Sequence, residues 1–496
     1  MRVTACRAVS VLTLLLFAAG FITLAILTPR IIHKIALTEI PVTYGSDSAS
    51  MYRRLPVNIT QRIFMFNLTN RDEFLKGATP VLQELGPYTF ISVWQKDMVW
   101  DGSLIRFNES RTFFFAPELS NGSLSDEIIH ADLVYLTAVR LVESLKQPWK
   151  LIAEGILEFK KVLNRHTVGE LLYDGYVDEI AKYAKYFIKG LPVIDGKVGF
   201  LLGQNGSFAG EFSVFNGMNG TLDKLNEITS YENSPTVPYY GDDCNSLYGT
   251  NGELYAPFMD LPEKTISIFD TQLCRPWNLY LNSTSEYDGI MEANYNSGSD
   301  LFTATGNATI DACYEKRSSH MRGTFDASTC HFDQDIVLSL PHFLKGDERL
   351  FDNVKGLAPD PAKHDFGISV SELGVVTNLK IRVQINTFLS SDPMLKKKFV
   401  YPMFWQEFVL EDEDRATLMG KLWEKAVRPK LLLRGVALGV GAAFLIALVS
   451  LLVVFLVRDS KTDDSAPLIP NQEQPLGEDE VDVEPEDSDT GPDPEK

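Results

Sequence analysis

The side chains able to do chemistry are scattered along this chain of 496 residues rather than gathered into a catalytic signature. There is no Gly-x-Ser-x-Gly elbow to expose a nucleophile, no His-Glu-x-x-His helix to hold zinc, and no glycine loop to cradle phosphate. Cys313, His320, Cys330 and His331 offer four metal-ligating atoms, but their spacing matches no standard zinc module. Isolated acids and histidines are what any chain of this length carries. The reading is a non-enzyme with no metal and no cofactor.

Two other groups of residues point to binding. Lys150, Lys160, Lys161, Arg165 and His166 form a basic edge, either a solvated helix face or a docking surface for an acidic protein or an anionic lipid particle. Near the C-terminus, Asp464-Ser-Ala-Pro-Leu468-Ile469 places an acid four residues ahead of a Leu-Ile pair. That is the pattern of a dileucine sorting signal: a basic pocket of a clathrin adaptor takes the acid and an apolar groove takes the pair.

Two apolar runs decide where these groups sit. Val9 to Leu27 and Gly435 to Val457 are uncharged, and at about 1.5 Å per residue each is long enough to cross a ~30 Å hydrocarbon core. A cleaved secretory signal is the alternative for the first. Its length, beyond the ~7–15 residues of a signal core, and the lack of an Ala-x-Ala site favour retention. Lys and Arg flank both spans on both sides, so charge does not set orientation. The sequons do: Asn58, Asn67, Asn108, Asn121, Asn205, Asn219, Asn282 and Asn307 all lie between the runs and none in the tail. The expected organisation is a cytoplasmic 1–8, a span over 9–27, a glycosylated lumenal or extracellular domain over 28–434, a span over 435–457 and a cytoplasmic 458–496.

The tail segment holds fourteen acids and three bases, or −11 of the formal net charge of −20. Having almost no large apolar side chains, it cannot bury enough surface to fold. The rest is mildly acidic, which excludes nucleic acid as a partner. Of five cysteines, Cys6 stands at the cytoplasmic mouth of the first span, a palmitoylation position. Cys244, Cys274, Cys313 and Cys330 share the oxidising side and form two disulfides, with three pairings open.

Between the spans the periodicity alternates. Arg62 to Asn70 and Leu85 to Ile91 read as strands. Leu133, Leu136, Val139 and Val142, then Leu151, Ile152, Ile156, Phe159 and Leu163, recur at helical spacing and predict two amphipathic helices over 131–163. Thr167 and Glu170 form a capping box for a third, running through Leu171, Tyr176 and Ile180 toward Ile188. Leu379, Ile381, Val383 and Ile385 alternate with Lys380, Arg382, Gln384 and Asn386, which predicts a strand with one buried and one polar face, in a hairpin with Phe366 to Val370. The fold class is α+β.

Phe66-Asn-Leu-Thr-Asn70, Glu84-Leu-Gly-Pro-Tyr88, His166-Thr-Val-Gly-Glu-Leu-Leu172, Leu340-Pro-His-Phe343 and Asp347-Glu-Arg349, in this order between two anchors, resemble the class B scavenger receptors, a fatty-acid translocase-like family. The match covers residues 1 to about 470, and the tail signal makes it most similar to the lysosomal integral membrane protein type 2 branch. The resemblance implies an antiparallel β-barrel core, a membrane-distal helical bundle (131–189 here) that receives ligands, and an apolar tunnel that carries lipid. It pairs Cys244 with Cys313 and Cys274 with Cys330. It implies a lysosomal or late endosomal receptor for protein, lipid or lipoprotein ligands, with cholesterol, phospholipid or fatty acid as lipids, and self-association into a homo-oligomer left open. A plasma-membrane scavenger receptor for lipoproteins, pathogens or apoptotic cells is the alternative. In the lysosomal branch the bundle releases a carried glucosidase on acidification through a histidine, a position that Leu145 occupies here.

Overall fold

The computed structural model describes residues 2–143, 145–184, 193–241, 244–258, 261–299, 301–302, 314, 321–331, 334–389 and 399–463. The chain forms two compact units, Met1–Ile26 with Gly435–Lys496, and Leu27–Arg434. Both apolar runs are helical, as the unbroken stretches of Leu, Val, Ala and Ile require: α1 spans Arg2–Glu39 and the last helix Asp412–Asp463. Each is long and apolar enough to cross a membrane. In the first unit Phe17 and Phe21 stack on Phe444, at 5.2 and 5.8 Å between ring centres. Gly441 packs beside Phe21 and Ile22, where a Cβ would stand at contact distance, 3.4 Å from Ile22. Arg7 pairs with Asp459 at 2.8 Å. The hydroxyls of Ser10, Thr13 and Thr23 bond back to carbonyls one turn earlier, which satisfies those three polar hydrogens within the helix.

The second unit is built on strands β1 (Ile59–Leu68), β2 (Leu82–Asp101), β3 (Leu104–Phe115), β4 (Glu127–Ala131), β5 (Leu163–Thr167), β6 (Tyr176–Val177), β7 (Lys197–Val198), β8 (Phe208–Phe215) and β9 (Ile228–Tyr231). They continue with β10 (Thr265–Asp270), β11 (Arg275–Tyr287), β12 (Ile290–Ser297), β13 (Thr324–Asp326), β14 (Ile336–Ser339), β15 (Gly367–Ser371), β16 (Val376–Leu389) and β17 (Phe399–Val409). Thirteen form one antiparallel sheet in the order β10-β11-β12-β15-β16-β17-β1-β2-β3-β8-β9, with β14 joined to the second half of β16 and β13 to β14. The predicted β15–β16 hairpin is present, Ile368 opposite Leu379.

The sheet is not a closed barrel. Its edge strands β9 and β10 are short and share no ladder, because the chain between them leaves the sheet. Among the described residues Gly249 and Thr250 stitch the gap: Ile228 donates to Gly249, Thr250 donates to Ser267, and Phe269 donates to Thr250, at 2.9–3.0 Å.

Beside the sheet lie α2 (Asp47–Arg53), α3 (Arg71–Leu75), α4 (Leu133–Glu143), α5 (Trp149–Leu157) and α6 (Glu179–Ala184); the C-terminal helix Asp412–Asp463 is α7. The capping box forms, with Thr167 N–H donating to Glu170 at 2.9 Å and Glu170 N–H to the Thr167 hydroxyl at 3.3 Å. The helix it opens is not the long one expected. It is a single wide turn, Glu170–Asp174, stopped at Gly175, whose φ of +70° few side chains tolerate; α6 restarts only beyond, capped by Asp178. A second departure is on α5. Leu151, Ile152 and Phe159, placed by periodicity on a buried stripe, are exposed, and α5 docks through Leu157 instead.

Two motifs that carry the family resemblance meet under the sheet. The Glu84 carboxylate accepts from His342 Nε2 at 2.6 Å and Trp405 Nε1 at 2.7 Å, while His342 Nδ1 accepts from the Ala358 N–H at 3.1 Å. Burial opposes the charge on Glu84, yet these two donors hold its carboxyl below the usual range. Glu84→Ala strands both donors, so thermal or urea unfolding of the detergent-solubilised chain should show a loss of about 1–3 kcal/mol per orphaned group, with Glu84→Gln losing less.

Candidate functional site

Inside the second unit is a cavity of about 940 Å³, at the upper end of the size of small-molecule sites. Its walls come from three layers. Leu133, Thr137 and Leu141 of α4 with Ile180 of α6 line one part; Leu379, Ile381, Val383 and Ile385 of β16 with Phe404 and Phe408 of β17 line the sheet part. Ile32 and Ile35 of α1 and Leu418 and Leu422 of α7 line the third.

This cavity explains an inversion on β16. The alternation read in the sequence is real, but Leu379, Ile381 and Ile385 are only half-buried, because they face the hollow. The polar face is the better buried one. Arg382 pairs with Glu407 at 2.9 Å and donates to the carbonyls of Ala362 and Asp365. Gln384 accepts from the His342 N–H at 2.7 Å, and Asn386 donates to the Val337 carbonyl at 2.9 Å. A layer made of residues 336–366 covers what a simple two-faced strand would leave to water.

One stretch of wall is charged. On β3 the inward positions read Phe107, Glu109, Arg111, Phe113, opposite Met98, Lys96, Trp94 and Ser92 of β2. Lys96, only 2% exposed, holds Glu109 at 2.9 Å and Glu253 at 2.6 Å and lies over the Tyr52 ring. Arg111 bonds Glu109 through Nε at 2.7 Å and stacks 3.9 Å over Trp94. Burial pushes Glu253 up to about 7, with Lys96 opposing and Glu109 reinforcing; for Glu109 the two cations outweigh burial and hold it well below the usual range. Arg111 and Glu253 line the cavity. The sequence signal was an alternating strand with charges at inward positions; its partner Glu253, 157 residues from Lys96, gave none.

The basic edge divides. Lys150 lies on α5, 4.0 Å from Glu154; Lys160 and Lys161 follow α5; Arg165 and His166 are on strand β5, not on a helix. Lys160 pairs with Asp178 at 2.5 Å and Arg165 with Glu127 at 2.9 Å, so both charges are balanced by acids distant in sequence. Lys161 is exposed. Around them stand Trp149, 67% exposed, and Phe159, 90% exposed, together with Leu151 and Ile152: the helical layer is more apolar at its surface than basic.

His166 belongs to a buried cluster. Its Nδ1 lies 2.9 Å from His130 Nε2, and its ring stacks 3.7 Å from Tyr176. Asp132 caps α4 through the Tyr135 N–H at 3.0 Å and accepts from Asn164 at 2.5 Å. Cys274 is bonded to Cys330, so neither sulfur is a thiolate free to bind zinc; Cys244 is also in a disulfide. Cys6 is exposed and free. Asn58, Asn121, Asn205, Asn219 and Asn282 are exposed, whereas Asn67 and Asn108 are half-buried, Asn67 accepting from the Ile129 N–H. Asn307, Cys313, His320, residues 185–192 and the Asp464, Leu468, Ile469 signal lie outside the described residues.

Two predictions follow from these positions. Peptide mapping after deglycosylation should find glycan on Asn58, Asn121 and Asn282 and none on Asn67, whose side chain is committed to the fold. The second concerns pH. Burial lowers His130 to about 4 and raises Asp132 to about 6. As pH falls from the ordinary histidine value of 6.5 toward 4, folded His130 binds fewer protons than the unfolded chain and stability drops. Folded Asp132 binds more protons than the unfolded chain between 6 and its ordinary 3.8, and stability rises. The two offset. Unfolding midpoints from pH 7 to 4.5 should therefore fall more steeply for Asp132→Asn than for the parent and less steeply for His130→Gln.

A family model described as the CD36 family matches residues 10–457. Scavenger receptor class B member 1 of Mus musculus is 29% identical over 410 residues, covering 79% of this chain and 78% of its own length. The Rattus norvegicus protein of that name is 30% identical over 393 residues, 77% and 75%. Lysosome membrane protein 2 of Rattus norvegicus is 26% identical over 387 residues, 75% and 79%. Both branches match over most of their length, with the class B member 1 identities the higher, so assignment to the lysosomal branch rests on the tail motif. With two apolar terminal helices, a large antiparallel domain and a disulfide in place, the chain belongs to the CD36 family, the class B scavenger receptors.

Proposed function

We propose that this chain is a two-span receptor of late endosomal or lysosomal membranes, with both termini cytoplasmic, that takes protein or lipid ligands at its helical layer and passes lipid through its cavity. The observation that carries this reading is the continuity of the apolar lining, from α4 and α6, along β16 and β17, to Ile32, Ile35, Leu418 and Leu422. Those last residues sit on helices that run on in sequence into the two apolar spans. A core made of side chains would need no such hollow, because interiors normally pack to crystal-like density. The exposed Trp149, Leu151, Ile152 and Phe159 supply an apolar landing surface next to cationic Lys150 and Lys161, a combination suited to a lipid particle or an amphipathic protein.

The adaptor-type signal at Asp464, Leu468 and Ile469 supports the intracellular location, as does the name of lysosome membrane protein 2. The higher identity to scavenger receptor class B member 1 favours a second reading, the same receptor working at the plasma membrane. Steady-state imaging separates the two. Leu468→Ala with Ile469→Ala should move the chain from acidic compartments to the cell surface; an unchanged distribution defeats the signal. Lipid passage has its own test. Ile381→Trp puts an indole into the hollow and should lower uptake of a fluorescent sterol or fatty acid by cells about tenfold at equal surface expression, whereas unchanged uptake removes the cavity from the route.

A further inference from the structure

The charged stretch of the cavity wall is more than a structural ion network. We propose that Arg111 receives the anionic head group, carboxylate or phosphate ester, of a lipid whose chain lies along the apolar wall. This rests on the lipid-passage reading above and adds the class of lipid and the residue that selects it.

The argument is one of free donors. A guanidinium presents five N–H bonds in a planar fork. In Arg111 the Nε bond is committed to Glu109 at 2.7 Å, and the plane is fixed by stacking 3.9 Å over Trp94. Among the described residues the two terminal nitrogens have no hydrogen-bond partner. They are not sealed away: the side chain keeps 27% of its surface accessible, and both Arg111 and Trp94 line the hollow. Unpaired guanidinium nitrogens on the charged stretch of a largely apolar wall match the two oxygens of a carboxylate or phosphate, and lowered dielectric strengthens that bond.

The charges around Arg111 are arranged to leave this fork available. Glu109 faces it from β3 but is shared with Lys96 of β2 at 2.9 Å. Glu253, from the segment before β10, bonds Lys96 at 2.6 Å and Asn251 at 3.0 Å instead of Arg111. Asp270, at the end of β10, acts on Arg111 through space while its own carboxylate accepts from the Gln272 N–H at 2.8 Å. Each acid is occupied elsewhere or on one edge of the guanidinium, and the fork points to a ligand. The neighbouring walls, Ile268, Val376 and Phe408, are apolar and suit a hydrocarbon chain.

The test uses the full chain in nanodiscs and direct binding of three probes with one saturated chain: stearate, monostearyl phosphate and stearyl alcohol. The parent should bind one or both anions about tenfold more tightly than the alcohol, and Arg111→Gln should bring the anions to the level of the alcohol while alcohol binding stays as it was. Arg111→Lys, which keeps the charge and loses the fork, should recover part of the preference. Whichever anion is preferred names the source, fatty acid or phospholipid, and either supports the assignment. Retained anion preference in Arg111→Gln overturns it, as does a parent that binds all three equally. Unchanged alcohol binding reports an intact fold. Failure of the broader reading looks different, since then Ile381→Trp leaves binding of all three probes untouched.

Discussion

The structure turns on one constraint: beside its packed hydrophobic clusters, the apolar faces of β16 and β17 line an open hollow. An open apolar hollow forgoes the dispersion contacts that usually hold an interior together. The sheet must therefore be stabilised from its outer side. On β16 and β17 that side carries Arg382, Gln384, Asn386 and Glu407, each satisfied by a partner in the covering layer or a neighbouring strand. The Glu84, His342 and Trp405 cluster fastens β2, β17 and that layer at a single carboxylate. Seen this way, the two motifs that carry the family resemblance are the fastening of a hollow sheet.

Where the wall itself is charged, the same rule holds. Lys96 is tolerable at 2% exposure only because Glu109 and Glu253 both reach it, and an isolated ammonium there would be strongly disfavoured. Within this network, among the described residues, Arg111 keeps spare donors beside the hollow. Glu109 serves both cations, neutralising Lys96 and orienting Arg111. The helical layer repeats the pattern, with Asp178 capping α6 and pairing Lys160, and Asp132 capping α4 beside the paired histidines.

How much of this was legible follows from how local each interaction is. The spans, the β16 alternation, its hairpin with β15 and the Thr167 and Glu170 capping box are set by residues within a few positions of one another, and the sequence showed them. The third helix failed on Gly175, whose positive φ overrides an apolar period. The exposed stripe of α5 was missed because periodicity says that a face is apolar and not what covers it. The basic edge looked uncompensated because Glu127 and Asp178 lie 38 and 18 residues from Arg165 and Lys160. The polar face of β16 was legible as polar but not as covered, since nothing local announces a covering layer. Closure of the barrel depended on strands at its edges, where the described residues supply the stitch at Gly249 and Thr250 instead of a ladder.

The central claim is that lipid occupies the hollow behind β16 and β17. Photolabelling tests it most directly: the full chain in membranes is incubated with a diazirine-bearing fatty acid, irradiated and mapped by peptide mass spectrometry. The account predicts adducts on the inward residues of the sheet, among them Ile381, Val383, Ile385, Phe404 and Phe408. Adducts confined to the apolar spans and to exposed side chains such as Trp149 and Phe159, with the inward residues unlabelled, would contradict it.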